Sequence, residues 1–247
     1  MRQGKFMDGH FVEVSHLRQY FLAGGWGKGR TYSRAVEDLS FYIDRGETLG
    51  LVGASGCGKT TAARTLLRLY EPMGGRFVFD GQVIFDVKNR QYAPMLPIRK
   101  RMQLVFQDPY ASLNPRMTVG DIVGEGMDVH KMAGDKRKRQ EQIMGMLELV
   151  KLDKSYVNRY PHELSGGQRQ RVGIARALMV PPDFLICDEP VSALDMSVQA
   201  QILELFRELQ EKCRLTCLFI SHDLSAVRQV AGRIAVMREG RIVDMLE

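Results

Sequence analysis

The stretch Gly53-Ala54-Ser55-Gly56-Cys57-Gly58-Lys59-Thr60 fits the pattern G-x-x-x-x-G-K-[ST]. A short apolar run at 48–52 precedes it, and apolar residues recur at helical spacing between 63 and 70 until Pro72. Strand, glycine-rich loop and helix form the context in which this pattern binds a phosphate chain. The sequence therefore predicts a nucleotide phosphate loop at residues 53–60.

The chemistry of phosphate binding explains the residue types of this loop. Glycines let the backbone wrap a phosphate chain closely, and a helix beginning near Gly58 directs its free N–H groups at the same anion. Lys59 can reach the β- and γ-phosphates, and the Thr60 hydroxyl can bind Mg²⁺. The predicted nucleotide ligands are Gly53, Ala54, Ser55, Gly56, Cys57, Gly58, Lys59, Thr60 and Thr61.

Composition is typical of a folded soluble protein. The 247 residues are 45% hydrophobic and 26% charged, which suffices for one large α/β domain. The sequence has no run of about 18 apolar residues that could cross a membrane. Residues 1–8 contain no apolar signal core, so we expect the chain in the cytoplasm.

The formal net charge of +6 includes a basic cluster formed by Lys131 and residues 136–139. Such a cluster could contact nucleic acid or anionic lipid. No aromatic residue lies among these charges, and apolar residues follow at helical spacing from Ile143. We therefore interpret the cluster as the solvated start of a helix and expect no nucleic-acid partner.

The four cysteines form no paired framework. Cys187 and Cys217 lie in apolar strand runs and are predicted to be buried thiols. Cys213 and Cys217 are not accompanied by a histidine or a second cysteine pair, so a metal site there is disfavoured. Cys57 has two interpretations, a reactive thiol of lowered pKa at a helix start or a side chain that only fills space.

The coarse pattern of the chain predicts the fold class. Residues 11–17 and 36–43 alternate as half-buried antiparallel strands around a glycine-rich loop at 23–29, and 77–84 form a hairpin. These strands predict an antiparallel layer that flanks the phosphate-binding strand.

The remaining strands suit a parallel core. A strand is predicted at 102–106, the pattern is helical over 119–179, and continuous apolar runs follow at 184–187 and 216–220. A final hairpin spans 234–243. We expect an α/β fold of the P-loop NTPase type, with a mainly parallel sheet core, an antiparallel β layer and an inserted α-helical lobe.

Two carboxylates follow the apolar run at 184–187. Asp188 and Glu189 would lie at the carboxyl end of a buried strand, where open parallel sheets bind ligands. Asp188 can hold Mg²⁺, directly or through water. Glu189 can orient or deprotonate the water that attacks the γ-phosphate.

A second glycine-containing motif begins the helix that runs towards Leu178. Ser165, Gly166, Gly167 and Gln168 could form an anion-binding nest at a helix start, or Ser165 could simply be an N-cap. Two phosphate nests far apart in one short chain suggest that they meet across a dimer.

The chain resembles the nucleotide-binding subunits of ABC transporters over nearly its whole length. The resemblance rests on the phosphate loop, Gln107, LSGGQ at 164–168, the Asp-Glu pair at 188–189, and two further motifs at 192–195 and 221–223. It implies a head-to-tail dimer that holds two ATP molecules, each between one phosphate loop and the partner's Ser165–Gln168 nest. It also implies one ATPase domain over 1–247, with a RecA-like core and antiparallel layer at about 1–118 and 180–247 and a helical lobe at about 119–179.

The resemblance also implies roles for single residues. Gln107 would sense Mg²⁺ and the attacking water and link the helical lobe to the membrane partner, and His222 would contact the γ-phosphate and work with Glu189. Asp195 would communicate across the dimer. The expected catalytic residues are Glu189, His222 and Gln107; the expected metal ligands are Thr60, Gln107 and Asp188.

The segment 105–116 is similar to the dipeptide/oligopeptide/nickel importer branch of that family. The likeness implies a homo- or heterodimer of ATPase subunits beneath two permease subunits at the cytoplasmic face of the membrane, served indirectly by an extracytoplasmic solute-binding protein. The aromatic that stacks on adenine is predicted to be Tyr20, with Tyr32 as the alternative. Many members continue beyond the final hairpin, so this sequence, which ends at Glu247, is expected to be a short or truncated member.

The alternative function class is a cassette ATPase that acts on nucleic acid or ribosomes. Such relatives carry a long coiled-coil or zinc insertion between the phosphate loop and LSGGQ, or two cassettes, and this sequence has neither. The sequence therefore favours an importer, whose transported solute it leaves open.

Overall fold

The computed structural model describes residues 9–24 and 31–247. Across these residues the strands are β1 Val12–Gly24, β2 Thr31–Ile43, β3 Thr48–Val52, β4 Gly74–Phe79, β5 Gln82–Asp86, β6 Gln91–Tyr92, β7 Met102–Val105, β8 Phe184–Asp188, β9 Thr216–Ser221, β10 Arg233–Arg238 and β11 Arg241–Leu246. The α-helices are α1 Lys59–Leu66, α2 Met95–Arg101, α3 Pro109–Ser112, α4 Val119–Val129, α5 Lys136–Leu149, α6 Gly166–Met179, α7 Met196–Cys213 and α8 Leu224–Val227. Two 3₁₀ turns lie at Lys154–Asn158 and Pro161–Glu163.

The described strands form one mixed sheet of eleven, in the order β6-β5-β4-β1-β2-β11-β10-β3-β9-β8-β7. Strands β10, β3, β9, β8 and β7 are parallel, and β6, β5, β4, β1 and β2 pair antiparallel. The two halves meet at β11, which is antiparallel to β10 and pairs with β2 only through Arg241 and Asp38. The antiparallel strands therefore continue the parallel sheet at β11, and they do not lie beside β3.

The central strands are apolar because both of their faces are covered. Every residue of β8 and β9 is buried. Alternate side chains enter two hydrophobic cores: Leu185 and Phe219 join the one beneath α4–α7, while Ile186 and Leu218 join the one against α1 and the antiparallel strands. This arrangement confirms the predicted α/β class with buried parallel strands.

Several predicted boundaries differ from the structure. Strand β1 extends to Gly24 and strand β2 begins at Thr31, so residues 23 and 24 of the predicted glycine-rich loop are strand. The other residues of that loop, 25–29, lie outside the described residues. Helix α1 ends at Leu66 rather than near residue 70, because Arg68 adopts a left-handed backbone with φ 48° that turns the chain.

The chain between β7 and β8, which is described throughout, contains helices α3–α6 and no strand. Helix α5 begins directly after Asp135, whose side chain accepts a hydrogen bond from the Lys138 N–H. Residues 136–139 form the first turn of this helix, as predicted, and Arg137 pairs with Glu141. Lys131 lies outside the helix, in the turn that follows α4. In the described ranges, no helix has both the length and the apolar character that a membrane span requires.

Candidate functional site

The phosphate loop joins the end of β3 to the start of α1 and lies against the backbones of β2 and β10. A Cβ on Gly58, where φ is 108°, would lie 2.0 Å from the Ala35 carbonyl oxygen. A Cβ on Gly53 would lie 2.3 Å from the Met237 carbonyl oxygen. Gly56 has open space around it but a φ of 80°. Two of the glycines are thus required by close backbone contact, and the third by its left-handed conformation.

Lys59 is held at the mouth of this loop. Its side chain is only 4% exposed, and Nζ donates to the carbonyl oxygens of Gly53 at 2.7 Å and Ala54 at 3.1 Å. Nζ also lies 3.7 Å from the Oε1 atom of Glu189. The loop therefore concentrates a buried cation beside exposed backbone, which is the donor set that a phosphate chain requires.

Thr60 and Asp188 meet although they are far apart in the sequence. The Thr60 hydroxyl donates to Asp188 Oδ1 at 2.9 Å. Burial raises the pKa of Asp188, and the hydrogen bond from Thr60 opposes this shift. A hydroxyl and a carboxylate side by side are oxygen ligands of the kind that Mg²⁺ prefers.

The backbone of Glu189 is fixed at the end of β8 in a left-handed conformation with φ 45°. Its N–H donates to the Ile220 carbonyl of β9 at 2.9 Å. Its own carbonyl accepts from the Ser192 hydroxyl at 3.1 Å. A non-glycine residue rarely holds this conformation, and such strain is often found at functional sites.

The side chain of Glu189 is the centre of the site. Gln107 Nε2 donates to Oε2 at 3.1 Å, and His222 Nδ1 lies 3.2 Å from the same oxygen, a distance at which a protonated Nδ1 donates. Lys59 faces Oε1. One carboxylate is thus oriented by two side chains from different loops and stays close to the phosphate loop.

The LSGGQ stretch forms the start of α6. Ser165 Oγ accepts from the Gln168 N–H at 3.3 Å, and Gln168 Oε1 accepts from the Ser165 N–H at 2.9 Å. Gln168 Nε2 also donates to the Tyr156 hydroxyl at 2.9 Å. A Cβ on Gly167 would lie 2.4 Å from Val198 Cγ1. Within one chain these residues form a capping box. Of the two interpretations of this motif, an anion-binding nest or a simple N-cap, the single chain therefore shows the N-cap.

The structure brings together six of the predicted site residues and leaves a second group apart. The first group is Lys59, Thr60, Gln107, Asp188, Glu189 and His222. Within the described residues, the hydrogen bonds made by the Ser165 and Gln168 side chains join these residues to each other and to Tyr156. Ser165, Gly167 and Gln168 line a separate surface cavity of about 370 Å³.

Asp195 caps helix α7 and is exposed. Its Oδ1 accepts from the Val198 N–H at 3.1 Å and from the Ser197 hydroxyl at 2.8 Å. These bonds, that of the Val198 N–H foremost, lower the pKa of Asp195. The side chain is therefore a fixed negative charge at the protein surface.

The two candidates for adenine stacking lie on adjacent strands. Tyr20 is partly buried on β1, with the Arg34 guanidinium 5.8 Å from its ring centre. Tyr32 lies on β2 opposite Leu22 and is 49% exposed. The choice of Tyr20 stays a prediction.

The cysteines behave mostly as predicted. Cys187 and Cys217 are buried, which confirms the prediction, and their Sγ atoms lie 3.8 Å apart. Burial raises the pKa of the Cys187 thiol. Cys57 Sγ packs against the core and lies 2.7 Å from where a Cβ on Gly53 would be, which favours the space-filling interpretation.

Sequence reasoning missed two arginines of α6 that hold the segment after Gln107. The Arg169 guanidinium lies 4.9 Å from the Tyr110 ring centre. Arg176 Nη1 donates to the Ser112 carbonyl at 2.6 Å. The seven-residue spacing of these arginines places them on one helix face, which is the signal that could have identified them. This contact joins the helix that begins with LSGGQ to the loop that carries Gln107.

Known proteins are similar to this chain in both sequence and structure. The family profile described as "ABC transporter" matches residues 36–192. The oligopeptide transport ATP-binding protein OppF of Bacillus subtilis (strain 168) is 52% identical over 239 residues, which cover 97% of this chain and 76% of that protein. The corresponding Streptococcus mutans protein is 50% identical, with 95% and 74% covered.

Among solved structures, a dimeric ATP-binding cassette in a post-hydrolysis state bound to ADP and Pi has a TM-score of 0.81 and 26% identity, covering 96% of this chain and 98% of that one. The fold and the site define an ATP-binding cassette ATPase. The chain belongs to the ABC transporter family. The resemblance stated from the motifs and the predicted fold class are confirmed.

Proposed function

We propose that this chain hydrolyses ATP to drive the import of peptides through separate membrane subunits. The observation that carries the ATPase chemistry is the Glu189 carboxylate, placed between Gln107, His222 and the phosphate-loop lysine. The relatives described as oligopeptide transport proteins support peptides as the substrate class. Nickel-type solutes are the second substrate class of the same branch.

The residues present suit ATP with Mg²⁺. Lys59 and the loop N–H groups would hold the phosphates, while Thr60, Asp188 and Gln107 would hold the metal, which when bound neutralises charge on the phosphates. Glu189 accepts the proton of the attacking water, and His222 and Gln107 keep its carboxylate in position. Within the described residues there is no group of three or more His, Cys, Asp or Glu that would hold a metal by itself. The nucleotide would therefore complete the metal's ligands.

The separation of LSGGQ from the phosphate loop supports a composite site. Each ATP would be closed in by the Ser165–Gln168 nest of a partner subunit, with Asp195 communicating across the dimer. The dimeric state described for the similar cassette agrees with this arrangement. A monomer is then expected to bind ATP and to hydrolyse it poorly.

The surface beside Gln107 supports a membrane partner. An apolar groove of about 330 Å³ runs between the sheet and helix α4, and Leu69, Phe106 and Val129 line it with 37% to 63% of their surface exposed. We propose that a permease segment binds here, which would place the chain at the cytoplasmic face of the membrane. Residues of about 119–179 would then act as a lobe of one ATPase domain, and an extracytoplasmic binding protein would deliver the solute to the permease.

A mixing experiment tests the composite site. Lys59→Ala and Ser165→Arg are each expected to abolish ATP hydrolysis. Because the two residues would serve different halves of one site, a mixture of the two variants regains one intact site per dimer and part of the activity. A mixture of Lys59→Ala and Glu189→Gln, which would disable the same half, is the control and regains none.

The outcome separates the two arrangements. If the first mixture stays as inactive as the control, the site is not shared between subunits and the dimer proposal is wrong. Co-purification with two polytopic membrane proteins tests the import function independently, and specific nucleic-acid or ribosome binding at physiological salt would favour the other class.

A further inference from the structure

The turn between β10 and β11 reaches the phosphate loop from outside the nucleotide site. The Gly240 N–H donates to the Cys57 carbonyl at 3.1 Å. The Gly240 carbonyl accepts two hydrogen bonds from β2, from the N–H of Glu37 at 3.0 Å and of Asp38 at 3.2 Å. One residue therefore bonds both to the phosphate loop and to the antiparallel half of the sheet.

This turn lies where the sheet is most weakly continuous. Strand β11 pairs with β2 through Arg241 and Asp38 alone, whereas β10 pairs with β3 along a longer ladder. The antiparallel half carries both adenine candidates, Tyr20 and Tyr32, and the parallel half carries the phosphate loop. The two binding regions share a hydrophobic core, but few backbone hydrogen bonds cross from one half of the sheet to the other here, and those of Gly240 are among them.

The packing around the turn leaves no room for adjustment. Gly240 has φ 74°, and a Cβ there would lie 2.5 Å from the Glu37 backbone nitrogen and 3.1 Å from Val36 Cα. The phosphate loop approaches the same stretch of β2: a Cβ on Gly58 would lie 2.0 Å from the Ala35 carbonyl oxygen, and a Cβ on Gly240 would lie 3.2 Å from that oxygen. The phosphate loop and the turn therefore both pack on the β2 backbone, and a displacement of one has to be taken up by the other.

We propose that Gly240 is a positioning residue for ATP binding. It acts through the Cys57 carbonyl, which its N–H holds at a fixed distance from β2. A side chain at 240 pushes β2 away from the turn and tilts the phosphate loop with it. The proposal rests on ATP binding at residues 53–60 and concerns the element that sets this loop in place.

The chain contains a matched control for this position. The turn between β4 and β5 has Asp80 at φ 51° and Gly81 at φ 73°, and the turn between β10 and β11 has Glu239 at φ 48° and Gly240 at φ 74°. A Cβ on Gly81 meets no atom within 4 Å. Asparagine tolerates the left-handed conformation better than other side chains, so Gly240→Asn and Gly81→Asn cause similar backbone strain and differ in the contact with Glu37.

The experiment measures ATP affinity and hydrolysis for both variants. We expect Gly240→Asn to raise the Kd and the KM for ATP about tenfold, which corresponds to about 1.4 kcal/mol, and Gly81→Asn to change them less than about twofold. The value of kcat at saturating ATP should fall less than about twofold in both, because Glu189, Gln107 and His222 are bonded to other elements. Equal affinities of the two variants, or a loss confined to kcat, would overturn the proposal.

A measurement on the unaltered protein covers the case in which Gly240→Asn does not fold. Amide hydrogen exchange at Gly240 should slow at least about threefold when ATP immobilises the loop whose carbonyl accepts this N–H. Exchange at Gly240 that ATP leaves unchanged contradicts the proposal. If the unaltered chain binds no ATP at all, the proposed function fails instead, so the two failures are distinguishable.

Discussion

Replacement of Glu189 by glutamine tests the catalytic centre most directly. Glu189→Gln keeps the size of the side chain and an oxygen that can accept from Gln107 or His222, but it removes the negative charge and the proton acceptor. General-base catalysis contributes about 10²–10⁴-fold to a rate, so we expect kcat to fall by that factor. ATP should still bind, because the loop donors and Lys59 are unchanged.

The same substitution changes the electrostatics of Lys59. The Nζ and Oε1 atoms lie 3.7 Å apart and both side chains are at least 90% buried. At an effective dielectric constant of about 20, charges at this separation attract by about 4 kcal/mol, and the carbonyls of Gly53 and Ala54 that still accept from Nζ offset part of the loss. We expect the free energy of unfolding without nucleotide to fall by about 1–3 kcal/mol.

ATP restores a negative charge beside Lys59, so it should stabilise the variant more than the wild type. The assays are single-turnover hydrolysis, calorimetric ATP binding and thermal unfolding with and without ATP. Glu141→Gln is the control, since this exposed glutamate pairs only with Arg137 among the described ion pairs. Hydrolysis by Glu189→Gln within about threefold of wild type would refute the role of Glu189 as base, and weakened ATP binding would refute the electrostatic reasoning.

Three further substitutions are informative. A Cβ on Gly50 would lie 2.1 Å from Val227 Cγ1, so Gly50→Ala should lower the free energy of unfolding in urea by about 1–3 kcal/mol. Adding Val227→Ala to the same chain removes the clash and should restore more than half of the lost free energy. Burial raises the pKa of Asp188 in the folded state above its pKa in the unfolded chain. The ionised carboxylate therefore destabilises the fold at pH values above the folded pKa, and the effect is absent below the unfolded pKa. As the pH rises between these two pKa values, the free energy of unfolding of Asp188→Asn should increase relative to that of the wild type, while Mg²⁺-dependent hydrolysis is lost. Arg176→Met removes the charged hydrogen bond to the Ser112 carbonyl and should lower the free energy of unfolding by about 1–3 kcal/mol. Arg176→Lys should be destabilised to a similar extent, because lysine lacks the planar guanidinium.

The parts of the site that follow from local pattern could be predicted from the sequence. The glycine loop, the apolar strand before Asp188 and the helix after the loop are each specified by neighbouring residues. The contact between Thr60 and Asp188 follows from topology, because the carboxyl ends of parallel strands lie at one edge of a sheet. The α/β fold class was predictable because the apolar runs of its buried strands are likewise local patterns.

Other features depend on contacts that no local pattern records. The left-handed backbone of Glu189 occurs together with a hydrogen bond from its N–H to the Ile220 carbonyl on a neighbouring strand, a contact that the local sequence does not indicate. The length of β1 and β2 depends on their pairing with each other, since their outer ends are exposed and lack a clear apolar alternation. The spacing of Arg169 and Arg176 indicates a shared helix face, but the partner of Arg176, the Ser112 carbonyl, and both partners of Gly240 lie far away in the sequence and are seen only in the structure.

The order of strands in the sheet has a consequence for biosynthesis. Strand β3 precedes the phosphate loop in the chain, yet its partners on the two sides are β9 and β10: Leu49 pairs with Leu218 and with Arg233. While the ribosome is still adding residues before Thr216, β3 is an apolar strand with both edges open, the kind of segment that aggregates. The nascent chain thus carries a finished phosphate-loop sequence long before it can hold a nucleotide, and chaperone contacts should concentrate on residues 48–52 during that interval.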